Sequence, residues 1–125
     1  WMRYSRQREI VLGVLDGNKT HPTADAVYER AREVEPNISL GTVYRNLKLL
    51  ADEGRIITLE TRDKKIHYDA DVSPHEHFLC DKCGKIYDLF RVSDNRAELE
   101  KEGFMVTDAK TVYYGVCPEC LKKQR

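Results

Sequence analysis

The sequence predicts an α+β protein built in two parts. Residues 5–54 hold three short runs with apolar residues at helical spacing, and residues 55–69 hold two β-rich runs around a charged turn. Beyond about residue 70 the pattern changes to short strand-like runs broken by two CxxC pairs. Three short helices followed by a hairpin is the order of a winged helix-turn-helix, although periodicity alone also admits other small α+β folds.

Each element has its own signal. SRQREIVLGVLD, residues 5–16, places Ile10, Val11, Val14 and Leu15 on one helical face, and Gly17 stops the run. Thr23, or Thr20, can cap a second helix whose face carries Ala24, Val27, Tyr28, Ala31 and Val34; Pro36 ends it. Ser39 can cap a third, LGTVYRNLKLLADEG, with Leu40, Val43, Tyr44, Leu47, Leu50 and Ala51 on the apolar face and Gly54 closing it. RIITLET and KIHYD around RDK read as the hairpin. VSP, residues 72–74, reads as a linker, so the expected domains are 1–70 and 71–125, with the boundary near 70–74. The second part then predicts strands HEHFLC and IYDLF around the knuckle DKCGK and a polar helix over 93–102. Strands at FMVTD and KTVYYGVC follow.

Composition narrows the function classes. With 41% apolar and 34% charged residues the chain reads as folded and soluble. No apolar run reaches the length of a membrane span and no signal-peptide core opens the chain, so the cytoplasm is the expected compartment. Trp1 ahead of Met2 is set aside as foreign to a natural start. The net charge is zero, +1 over residues 1–70 and −1 over 71–125. A nucleic acid would have to be bound by a local patch, because there is no global basic field.

Cys80, Cys83, Cys117 and Cys120 form two CxxC pairs separated by 33 residues. Without a secretion signal, closed thiolate pairs favour zinc over a disulfide framework or redox work. Four thiolates leave no open position, so the site is expected to be structural. In HEHFLCDKCGKIYD, residues 75–88, side chains two apart share a strand face. His75 and His77 therefore point together, while Cys80 points with Glu76 and Phe78 to the other face. That parity predicts two metal sites. Asp88 across the knuckle, Asp69 at the end of the hairpin and His21 in THPTAD are further donors. Nitrogen and oxygen donors suit iron, manganese or a labile zinc. Each also has a plainer reading: solvated turn aspartates and an ordinary loop histidine. His67, which shares parity with Asp69, reads as a surface strand residue.

HPTADAVYERARE, SLGTVYRNLKLLADEGRI, HEHFLCDKCGKIYDL and YYGVCPEC together resemble the ferric uptake regulator family, in order and over nearly the whole chain. The resemblance implies a homodimeric, metal-dependent repressor with an N-terminal winged-helix DNA-binding domain and a C-terminal α/β dimerisation domain. Carried over by position, it implies regulatory ligands at His21, Asp69, His75, His77 and Asp88, and structural zinc at Cys80, Cys83, Cys117 and Cys120. Aspartate at both 69 and 88 is more like the peroxide-sensing branch, where iron promotes oxidation of a ligand matching His21 or His75. The runner-up is an iron- or zinc-uptake regulator. A further histidine-rich regulatory site of the family is not expected, since Pro74 stands at one of its positions and DAKTVYYG holds no histidine.

The same resemblance implies double-stranded palindromic operator DNA as partner, read by the third helix. Ser39, Thr42 and Arg45 lie on its polar face and Tyr44 matches a DNA-contacting tyrosine, though Tyr44 also sits on the apolar stripe and can be read as core. Arg62, Lys64 and Lys65 at the wing tip are candidates for phosphate contact. Family members usually carry a helix ahead of the segment matching SRQREIVLGVL, so the DNA affinity is expected to differ. From other classes, a hydrolytic metal enzyme would need a base at the site, and Glu76, the nearest, faces away by parity. A zinc-ribbon interaction module without a DNA role is the third alternative.

Overall fold

Every helix in the N-terminal half starts at a hydroxyl. Ser5 accepts from the Arg8 amide at the start of α1 (Arg6–Leu15), Thr23 from Ala26 at the start of α2 (Ala24–Val34), and Ser39 from Thr42 at the start of α3 (Leu40–Asp52). The computed structural model describes residues 5–91 and 95–123, so Trp1 lies outside the described residues. By its internal contacts the chain divides into two units, Trp1–Val72 and Ser73–Arg125. Among the described residues no helix is long and apolar enough to cross a membrane.

In the first unit the three helices bury one stripe each: Val11 and Leu15, then Ala24, Val27 and Ala31, then Val43, Leu47 and Leu50. Ile38, Ile56 and Tyr68 complete the cluster. Each large aliphatic side chain removed from water here contributes roughly 1.5–3 kcal/mol. Strands β1 (Ile57–Glu60) and β2 (Ile66–Asp69) pair antiparallel as the wing, with Leu59 opposite His67 and Ile57 opposite Asp69. The free edge of β2 is closed by residues 22–23: the Tyr68 amide donates to the Pro22 carbonyl at 3.0 Å, and Thr23 bridges to His67.

The second unit is a three-stranded sheet in the order β4-β3-β5. β3 (Glu76–Cys80) pairs antiparallel with β4 (Ile86–Leu89) and parallel with β5 (Val112–Gly115). The parallel partner requires a crossover, which carries α4 (Arg96–Lys101). A final short helix, α5 (Pro118–Lys123), follows β5. Neither α4 nor α5 contributes a buried residue, and among the described residues the apolar side chains buried here are Leu79, Ile86, Cys80 and Cys117.

Three expectations are corrected. FMVTD, residues 104–108, forms no strand, and Phe104 and Met105 are 60% and 86% exposed. Its composition suits a strand, but β-propensity is realised only against a pairing partner, and residues 104–108 pair with none of the described strands. The polar helix is shorter than 93–102; residues 93 and 94 lie outside the described residues. Val34 and Tyr44, assigned to apolar stripes, are 58% and 49% exposed, because each lies at the margin of its stripe. The helix α5 around the second CxxC had no expectation set for it.

Candidate metal sites and nucleic-acid interface

The cysteines converge as their spacing predicts. Cys80 ends β3, Cys83 lies in the following turn, Cys117 precedes α5 and Cys120 lies on it. The turn is tied by the Gly84 amide to the Cys80 carbonyl at 3.0 Å, and Gly84 takes φ +75°, where a Cβ would be strained. All four sulfurs lie within 4.8 Å of one another. Cys80 Sγ is 3.7 Å from Cys120 Sγ, and Cys83 Sγ is 3.8 Å from Cys117 Sγ. A disulfide needs about 2.05 Å, whereas four sulfurs at about 2.3 Å from one zinc stand about 3.8 Å apart along the tetrahedron's edges. The geometry fits zinc and excludes both disulfide pairings it brings nearest.

The surroundings of the four sulfurs differ. Cys80 Sγ accepts the amides of Lys82, Cys83 and Cys117, each at 3.4 Å. These donors, Cys83 first, hold the thiol down to about 6 from its ordinary 9.0. The Tyr87 hydroxyl donates to Cys117, which lowers the Cys117 thiol and pushes the phenol up to about 12. Cys120 goes the other way, to about 12, chiefly through burial. Two thiolates are thus stabilised as anions by the protein itself. Tyr87 and the amide donors are contributions that spacing could not reveal.

The nitrogen and oxygen donors form one set in each unit. In the first, His21 Nε2 is 3.2 Å from Asp69 Oδ2, and both side chains are buried. His21 has φ +53°, a left-handed backbone that costs a non-glycine residue roughly 1–2 kcal/mol. The His67 ring Nδ1–H donates to the His21 carbonyl at 2.6 Å. His67 is therefore half-buried and bonded, not the free surface residue its position on the wing suggested.

In the second unit His77 stands directly opposite Asp88 in the β3–β4 register. His77 Nε2 is 3.3 Å and His75 Nε2 is 3.4 Å from the same oxygen, Asp88 Oδ1. The two imidazoles meet edge to face at 4.5 Å. His75 Nδ1–H donates to the Ser73 carbonyl at 2.7 Å, which leaves Nε2 as its lone-pair nitrogen. Donors 3.2–3.4 Å apart can share a divalent ion at about 2.0–2.2 Å from each. Imidazole and carboxylate without sulfur make a set suited to iron or manganese. His77 and Cys80 take different partners, as the parity of β3 requires.

On α3 the expected contact residues form a linked row. Ser39 Oγ donates to Thr42 Oγ1 at 2.9 Å, and Arg45 Nη2 donates to the same oxygen at 3.3 Å. Ser39, Tyr44 and Arg45 are exposed and Thr42 is half-exposed. Behind them Asn46 is buried and donates to the Thr42 carbonyl at 2.8 Å, a helix-anchoring role that sequence reading did not assign.

These features define a class: a winged helix-turn-helix protein with a separate sheet unit that carries a tetrathiolate metal site. The chain belongs to the ferric uptake regulator family, whose family model matches residues 1–114. It is 36% identical to the peroxide-responsive repressor PerR of Staphylococcus aureus, over 98% of this chain and 84% of that protein. Among solved structures it is similar to the Campylobacter jejuni peroxide stress regulator, at 33% identity and a TM-score of 0.80, over 91% of this chain and 88% of that one. It is also similar to the Helicobacter pylori ferric uptake regulator, whose structure reveals three functional metal-binding sites. There the identity is 28% and the TM-score 0.77, over 96% of this chain and 83% of that one.

Proposed function

We propose that this chain is a metal-dependent transcriptional repressor that binds palindromic operator DNA as a homodimer and senses peroxide by oxidation of a histidine ligand. The observation that carries the reading is the pair of sulfur-free donor sets, each built on an aspartate: Asp69 beside His21, and Asp88 beside His75 and His77. Membership of a family of regulators and likeness to peroxide-responsive relatives support it. The cofactors are a structural zinc, held by Cys80, Cys83, Cys117 and Cys120, and a regulatory iron or manganese. The cytoplasm, where thiols stay reduced, is the compartment this reading needs.

Neither donor set by itself fills a coordination sphere. A regulatory ion held by these donors would favour the DNA-binding arrangement. A tenfold gain in operator affinity requires only about 1.4 kcal/mol of differential binding. On the DNA side, Arg45 and Thr42 would read base edges or phosphates from α3, with Ser39 and Tyr44 flanking them. Arg62, Lys64 and Lys65 would touch the backbone from the wing. Iron held by these donors would supply the redox chemistry by which hydrogen peroxide, the two-electron oxidant, gives up one oxygen and leaves as water. His21 or His75, each presenting Nε2 to an aspartate, would be the residue that takes up that oxygen, and its loss as a ligand would release the DNA.

The test is operator binding titrated with manganese, iron and zinc, repeated after peroxide. The iron form loses DNA binding, with one added oxygen on a peptide holding His21 or His75, while the manganese form keeps its DNA and gains no oxygen. Oxygen gain with manganese and none with iron defeats the scheme. An uptake regulator would keep its DNA through the peroxide step.

A further inference from the structure

The loop that carries His21 is gripped from β2 at two points. His67 and Asp69 are two residues apart on one strand and project from the same face. Asp69 holds the His21 ring at 3.2 Å, and His67 holds the His21 carbonyl at 2.6 Å. Backbone bonds from β2 reach the neighbours of His21: Tyr68 to Pro22 at 3.0 Å, and the bridge between Thr23 and His67. The His67 ring fastens residue 21 itself, at its backbone carbonyl. The fastening matters because a φ of +53° is costly for a non-glycine residue against negative φ.

From this geometry we infer that His67 is a positioning residue for the regulatory metal, acting through the backbone of His21. The inference rests on the reading of His21 as a ligand. The Nδ1–H bond holds residue 21 in its left-handed conformation. That conformation sets the direction of the Cα–Cβ bond and so aims Nε2 at Asp69. Without the bond, residue 21 relaxes to negative φ and its ring swings off the carboxylate. His67 does not itself have to touch the ion: its Nδ1 is committed to a carbonyl oxygen, so the bond fixes its tautomer.

The experiment uses the full-length, zinc-loaded protein and manganese as the probe, with free manganese followed by electron paramagnetic resonance. His67→Leu removes the donor and is expected to weaken manganese binding by about tenfold, the lower end of what loss of an outer-sphere hydrogen bond does to metal affinity. His67→Asn places an amide Nδ2–H where His67 Nδ1–H stands and is expected to stay within about twofold of wild type. His21→Ala is the reference for loss of the ligand. If His67→Leu binds manganese like wild type while His21→Ala does not, His67 has no positioning role and the ligand reading survives. If His21→Ala also binds like wild type, the ligand reading falls and this inference falls with it. A weakening that His67→Asn fails to rescue marks His67 as merely structural and overturns the proposal. Nitrogen-15 correlation spectra of the wild-type ring give an independent reading that needs no variant to fold: the Nδ1–H tautomer is expected, and Nε2–H overturns it.

Discussion

Asp63 shows how much a single exposed side chain can organise. It sits in the wing turn between β1 and β2, where its carboxylate accepts from the Thr61 hydroxyl and from the Lys65 amide at 3.3 Å. The Thr61 amide closes the turn on the Lys65 carbonyl at 2.9 Å, and Lys64 takes φ +70° at the tip. These donors, Thr61 first, hold the Asp63 carboxyl below its ordinary 3.8. A carboxylate depressed on folding stabilises the turn fully above pH 3.8, and that contribution is lost as pH falls through the depressed value. An NMR titration of Asp63 is therefore expected to show a midpoint below 3.8, and Thr61→Val to move it upward. An unchanged midpoint in Thr61→Val would remove the hydroxyl from this account. The turn matters because it presents Arg62, Lys64 and Lys65 to solvent.

At the scale of the element, α3 must be stable before it can read anything. Its N-terminus is held by Ser39, whose Oγ accepts the Thr42 amide at 3.1 Å and also lines up Thr42 for Arg45. Ser39→Ala is expected to destabilise the chain by about 1 kcal/mol, the usual worth of an N-cap. In a domain of this size that lowers the melting temperature by roughly 4–8 °C. Ser39→Asp keeps the cap and favours the helix dipole, so its melt should match wild type. Its negative charge at the end of α3 proposed to meet DNA should still weaken operator binding. The two variants separate folding from recognition, since calorimetry reads the first and a gel shift the second. Equal melting of Ser39→Ala and wild type would show that the cap contributes nothing.

At the scale of the whole molecule, the two units are held by different forces. Among the described residues, the first has a cluster of eleven buried side chains, drawn from all three helices, the α2–α3 connection and the wing region. The second has a sheet with few buried apolar residues and two helices that bury none. A core that small supplies roughly 3–5 kcal/mol at best, whereas structural zinc bound by such donors is worth on the order of 10 kcal/mol. Zinc therefore decides whether residues 73–125 fold. Cys117→Ser, or chelation of the zinc, is expected to abolish amide protection in β3, β4 and β5 while α1, α2 and α3 keep theirs. Hydrogen exchange read by mass spectrometry distinguishes the two units. Protection in β3 equal to wild type would mean that the sheet stands without its metal.

Much of this was legible in the residues because the signals are local. Hydroxyl caps, helical stripes, strand parity and CxxC spacing each depend on neighbours within a few positions, so α1, α2, α3, the wing, β3 and the tetrathiolate could be read directly. Tertiary structure decided what depends on residues far apart in sequence. FMVTD pairs with none of the described strands, and Tyr44 turns outward although the stripe includes it. Cys80 takes two of its amide donors from its own knuckle, Lys82 and Cys83, but the third, Cys117, arrives from 37 positions away. His67 and His21 are separated by 46 positions, and no local pattern marks a ring nitrogen that will meet a distant carbonyl. Sequence determines which donors exist and which face of an element they share; only the folded chain determines which distant partner stands within hydrogen-bond reach.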